Sequence, residues 1–173
     1  LFDGPFDEAE TVLKELLAAT ENSDSLLLIR GNTLRLWGNL EVNRERLAPA
    51  LEHFKQSEQV LRNVGGLAHF FSRKWIAITE FLLEPGQTSG IEAIEKEALT
   101  LKHWETVRDL DHHRLLVNRD PALFQRLYFG SPQAQFRKRL TGKFPSLELP
   151  KEYHLPLGEG ATIDSPALTV PTD

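Results

Sequence analysis

Apolar positions recur along this chain with two different periods, and the switch between them organises the reading. Over residues 5–20, Val12, Leu13, Leu16 and Leu17 fall on one helical stripe. Pro5 suits a first helical turn, and Asp7 and Glu8 favour the positive end of a helix dipole. Over residues 25–38 the period shortens. Leu26-Leu27-Leu28-Ile29-Arg30 and Thr33-Leu34-Arg35-Leu36-Trp37 flank Gly31-Asn32. Glycine at the first central position fits a type II′ turn, so this segment predicts a β-hairpin. In its second arm Leu34 and Leu36 face one way, with Arg35 and Trp37 opposite. A lone hairpin is marginal, so it must pack on helices or join other strands. An open edge would accept a strand from a partner.

Helical spacing then returns. Residues 44–63 place Leu51, Phe54, Glu58 and Leu61 on one side, and a start near Ala48 seats Pro49 in the first turn. Gly65-Gly66 ends that helix. Residues 67–84 carry Leu67, Phe70, Phe71, Trp75, Ile78, Phe81 and Leu82 at a 3.6 period, with Arg73, Lys74 and Glu80 on the other side. Ser89 and Glu92 form a capping box for a long helix over 90–116, whose apolar face holds Ile91, Ile94, Ala98, Leu101 and Trp104. No glycine or proline interrupts it, and the break considered is near Asp109-Leu110-Asp111. Asp120-Pro121 and Ser131-Pro132 each open a helix of about two turns closed by Gly130 and Gly142.

The predicted class is therefore mainly α with a small β-hairpin (α+β). Its order is helix, hairpin, three longer helices, then two short helices in a tight helix-turn-helix-like unit. Residues 1–158 are expected to form one compact domain. Residues 159–173 are expected to form a flexible tail or linker, because prolines crowd the chain beyond Pro145.

Composition narrows the function classes. The 173 residues are 40 % apolar and 26 % charged with a net charge of −5, which is globular and not disordered. No cysteine occurs, so disulfides, thiolate nucleophiles and Cys-ligated metals are excluded, and a cytoplasmic setting is favoured. No run of about 18 apolar residues is present to span a membrane. Methionine is absent and the chain opens at Leu1-Phe2-Asp3, which reads as a piece of a longer polypeptide.

The charge is uneven. Residues 101–145 hold nine Lys/Arg against four Asp/Glu, whereas residues 1–60 hold six against eleven. Arg126, Gln133, Arg137, Lys138, Arg139 and Lys143 gather on the two short helices. The second helix of such a unit is where base-reading and phosphate-binding residues sit, so these six are the candidate nucleic-acid contacts. Arg35 and Trp37, displayed together on a hairpin strand, are the candidate protein contacts, since both residue types recur in binding hot spots.

Asp109, His112 and His113 are the densest group of potential metal ligands, with Glu105 on the same helix face. The second carboxylate–histidine helix that a bundle metal site requires is missing, so no metal and no cofactor is assigned. No catalytic residue set can be assembled. These observations lead to a non-catalytic interaction or regulatory domain of a larger polypeptide, binding a protein partner or self-associating. The alternative is a DNA- or RNA-binding regulatory module at residues 120–143.

Overall fold

The computed structural model describes residues 6–130 and 134–147. They form eight α-helices and one 3-10 turn. These are α1 (Phe6–Thr20), the turn Asp24–Leu26, α2 (Leu27–Asn43), α3 (Leu47–Leu61), α4 (Gly66–Leu83), α5 (Ser89–Thr100), α6 (Trp104–Asn118), α7 (Pro121–Gly130) and α8 (Ala134–Lys143). No strand occurs among the described residues.

The expected β-hairpin is overturned, and the fold class is all-α. Residues 27–43 are one continuous helix, and Gly31-Asn32 lies inside it. Gly31 and Gly38 are seven residues apart, hence on one face of α2. A Cβ at Gly31 would overlap the Leu61 side chain, and one at Gly38 would overlap the Phe54 ring. Leu61 and Phe54 are wholly buried on α3. The glycines therefore allow two helix backbones to approach closely. Each costs about 1 kcal/mol of helix propensity relative to Ala. Burying Phe54 and Leu61 against them returns roughly 1.5–3 kcal/mol per side chain. The apparent alternation in the second arm also dissolves, since Leu34 is 5 % exposed and Leu36 is 50 % exposed.

The same close approach carries a buried polar stitch. The Ser57 hydroxyl donates to the Gly31 carbonyl at 2.6 Å and lies 2.8 Å from the Ser72 hydroxyl. Ser57 has one proton and it goes to the carbonyl, so the Ser72 hydroxyl, which also reaches the Ala68 carbonyl at 3.2 Å, shares its proton between Ser57 and that carbonyl. One chain of hydrogen bonds thus links α2, α3 and α4.

Helix ends differ from expectation for a related reason. The long helix over 90–116 is interrupted at Lys102, which takes a left-handed conformation with φ 55°. The His103 amide bonds the Ala98 carbonyl at 2.8 Å and the Lys102 amide bonds the Leu99 carbonyl at 3.1 Å. That is a Schellman closure built without glycine. Glu45, with φ 60°, ends α2 in the same way. The break makes Trp104 the first residue of α6 and leaves it 64 % exposed, not in the core as its spacing predicted. The expected Ser89 cap is displaced by one residue, with Thr88 preceding the helix and making no side-chain cap bond.

The chain divides into two compact units, Leu1–His113 and Arg114–Asp173. In the first, α2 packs on α1 and α3, α3 on α4, and α4 on α5. The short connections make these neighbours antiparallel. α2 also touches α4, so both lie against α3. Phe54, Leu61, Ile78 and Ile91 fill this core, and Phe54 stacks on Trp75 with ring centroids 5.7 Å apart. Of the α1 stripe, Leu13 is buried while Val12 and Leu16 stay exposed. In the second unit Leu115, Phe124, Leu127, Leu140 and Phe144 form a separate core. Pro121 opens α7, and the Asp120 carboxylate accepts from the Ala122 amide at 2.8 Å, so the expected proline-started helix is capped by its preceding residue.

Candidate functional site

At about 100° per residue, Leu28, Ile29, Asn32, Arg35, Leu36 and Asn39 share an arc of roughly 120° on α2. Gly31 and Gly38 border this arc on the α3-facing side, and Leu34 lies opposite it. Leu28, Ile29 and Leu36 are exposed, while Asn32, Arg35 and Asn39 are half-buried. This helix face therefore carries exposed apolar side chains with half-buried polar ones set among them.

Arg35 is central to it. Its guanidinium lies over the Phe71 ring of α4, 5.9 Å from the centroid. Nη2 donates to Asn32 Oδ1 at 3.3 Å. Nε is buried with no acceptor, and the Asn39 Oδ1 atom is buried with no donor. No carboxylate pairs with Arg35 among the described residues, and burial alone pulls its pKa below the usual arginine value. The guanidinium nevertheless stays charged. A half-buried cation is held in place by an aromatic face and an amide, without a counter-ion.

Lys74 sits next to it on α4, only 6 % exposed. The spacing placed Lys74 on a solvated side. Instead its ammonium lies 5.4 Å from the Phe71 centroid and 5.0 Å from the Trp75 centroid. Unlike Arg35, it has a counter-ion, since Nζ donates to Asp109 Oδ2 at 2.8 Å. His113 Nδ1 bonds the Asp109 carbonyl at 2.7 Å, and its ring meets the Trp75 indole edge-on. The Asp109, His112 and His113 group is thus engaged within the helix layer. Among the described residues no three His, Asp or Glu side chains are placed to hold a metal ion.

Trp37 does not share the Arg35 face. Two residues on a helix point some 200° apart, and Trp37 stacks on His53 of α3 at 4.8 Å with a 20° interplanar angle. It is half-buried, and burial lowers the His53 pKa below its usual value. The expected exposed Arg35–Trp37 strand surface is absent, and the two side chains serve different neighbours.

Arg44, at the end of α2, lies in the opposite electrostatic situation. It reaches Glu10 at 2.7 Å, Asp7 at 3.2 Å and Glu41 at 3.4 Å. Glu41 is buried and also receives Arg46 at 2.6 Å. An opening of about 500 Å³ lies among Asp7, Glu10, Arg44 and Arg46, but its charges neutralise one another. A second cleft of about 340 Å³, lined by Leu17, Arg30, Leu34, Gln56 and Gln59, has its arginine committed to the Glu21 carbonyl at 2.9 Å.

Of the basic residues in the second unit, Arg126, Lys138, Arg139 and Lys143 are exposed. Arg137 is half-buried over the Tyr128 ring, 6.0 Å from its centroid. Gln133 lies outside the described residues. Leu140 turns inward from the same helix, while Lys138, Arg139 and Lys143 stay in solvent.

Sequence reasoning missed Asn32, Phe71 and Lys74 as partners of the Arg35 site. The Gly31-Asn32 pair predicts a turn, and the helical spacing predicts a solvated Lys74. The readable signal was the Gly31–Gly38 spacing of seven, which fits a helix face better than a hairpin.

The first unit is therefore a stack of antiparallel helices that exposes a mixed apolar and cationic face on α2. Comparison with protein-family models, curated proteins and solved structures finds no match. No helix among the described residues is long and apolar enough to cross a membrane.

Proposed function

We propose that the first unit is a non-catalytic docking module that binds a protein partner along the exposed face of α2. The observation that carries this reading is the composition of that face. Leu28, Ile29 and Leu36 stand in solvent beside an arginine that contacts the Phe71 ring and Asn32 and has no carboxylate partner among the described residues. Hot spots combine such apolar contact with arginine, and an arginine held in advance loses little freedom on binding.

Selection from a random twelve-residue peptide display library against the whole chain tests it. Enriched peptides are expected to lose binding to the Leu28→Asp/Leu36→Asp variant, while its melting temperature stays within a few degrees of the parent. Enriched peptides that bind this variant as well as the parent, or no enrichment at all, would remove the reading.

A second reading rests on the second unit, where residues 121–143 contain no Asp or Glu and Lys138, Arg139 and Lys143 are exposed on α8. Phosphate binding by this patch would weaken steeply with salt. Fluorescence anisotropy with short DNA and RNA at two salt concentrations measures that. The Lys138→Gln/Arg139→Gln/Lys143→Gln variant should abolish the signal and leave folding intact.

A further inference from the structure

We infer that the α2 face takes an acidic peptide segment, with one carboxylate side chain held by Arg35 between two apolar side chains seated at Leu28 and Leu36. This rests on the docking reading above and specifies the ligand chemistry. The first support is charge. Buried Lys74, beside Arg35, has its own carboxylate in Asp109, and half-buried Arg44, on the other side of α2, has Glu10. Arg35 has an aromatic ring, an amide and, among the described residues, no anion. A bound carboxylate would complete it, and charge-assisted guanidinium–carboxylate bonds are roughly twice as strong as neutral ones.

The second support is spacing. Leu28 and Leu36 are eight residues apart, so their Cα atoms lie about 12 Å apart along the helix. An extended peptide advances about 3.3 Å per residue and covers this distance in about four residues. The Arg35 side chain runs back toward the helix N-terminus to reach Asn32 Oδ1. That puts its charge at the level of residue 32, midway between the two leucines. The geometry thus matches a Leu-x-Glu-x-Leu pattern, with apolar residues four apart and an acid between them. Phe71 beneath the guanidinium blocks its retreat, and Asn32 fixes its orientation.

Three fluorescent peptides that differ only at the central position of Leu-Ser-Glu-Ser-Leu, carrying Glu, Gln or Lys, supply the test by anisotropy. On the parent chain the Glu peptide is expected to bind about tenfold tighter than the Gln peptide, and the Lys peptide more weakly still. The Glu advantage should shrink as salt rises. On Arg35→Gln the Glu and Gln peptides should bind alike, and Arg35→Lys should restore part of the difference. A thermal melt of each variant separates lost binding from lost folding. Equal binding of Glu and Gln peptides to the parent, a Glu preference that survives Arg35→Gln, or no binding of any of the three would overturn the inference. The docking reading fails separately, when selected peptides ignore Leu28 and Leu36.

Discussion

Arg35 and Arg44 lie on or at the end of the same helix, nine residues apart, which puts them on opposite sides of it. Both are partly withdrawn from water. Arg44 is surrounded by Glu10, Asp7 and Glu41, and the Glu10 hydrogen bond leads in raising its pKa above the usual arginine value. Arg35 meets no carboxylate among the described residues, and its pKa is lowered by burial. One cation is used for structure, tying α1 to the α2–α3 junction. The other is held by the Phe71 ring and the Asn32 amide, and no carboxylate among the described residues offsets its burial.

The comparison depends first on α2 being pressed against α3. Gly38→Leu would drive a large side chain into the Phe54 ring, which is wholly buried and has nowhere to move. It should cost about 3 kcal/mol or more, the upper range for overpacking, and chemical denaturation of the purified chain measures it. A loss below about 1 kcal/mol would show that the glycine contact is not what holds the two helices together.

The Arg44 side comes next. Arg44→Met leaves the buried Glu41 with Arg46 alone and Glu10 with Lys14 alone. We expect a clear loss of stability, read from a lower urea midpoint. Arg35→Met should behave oppositely. The methionine keeps contact with Phe71 and removes an unpaired charge, so stability should hold or rise by up to about 1 kcal/mol. If Arg35→Met destabilised the chain as much as Arg44→Met, the contrast between the two arginines would collapse.

The smallest effect is in acid. Lys14 first, and Arg44 second, hold the Glu10 carboxyl at about 2 in place of 4.5. Glu58 is likewise lowered, chiefly by Arg62 and then by His69. A carboxyl depressed in the folded state adds stability above its unfolded pKa and loses it as pH falls toward the folded value. Stability should therefore decline as pH drops from about 4.5 toward 2, and the decline should be shallower in Arg44→Met. His53 acts in a separate window. Its lowered folded pKa means that the unfolded chain takes up the proton first, so stability falls as pH drops below 6.5. Melting temperatures from pH 2 to pH 7.5 cover both ranges, and His53→Gln should flatten the upper one alone.

The local breaks were the least legible features. Gly31 looked like a turn because glycine is the commonest way to reach positive φ. Here it serves helix contact, while Glu45, Lys102 and Arg119 occupy the left-handed positions that end α2, α5 and α6. Gly31 and Gly38 stand where no helix ends, and glycine is absent where these three helices do. Where Gly65 and Gly66 do take positive φ, between α3 and α4, the sequence marked the boundary correctly. Reading Leu34 and Leu36 as one face followed from the false turn, and it carried Arg35 and Trp37 onto a strand that does not exist.

By itself the sequence determined where most helices run. The 3.6-residue spacing around Phe54, Leu61, Phe70 and Ile78, and the proline at the start of α7, are local facts that no partner helix is needed to see. It also determined the total charge and its bias toward a basic 101–145 segment. Only tertiary structure decided which polar groups pair. Lys74 is buried because Asp109, thirty-five residues away, meets it, and Arg35 stays unpaired because no carboxylate of a neighbouring helix lies across from it. Helical spacing fixes the direction of a side chain, but the chemistry it meets belongs to another helix, and that is settled only when the helices pack.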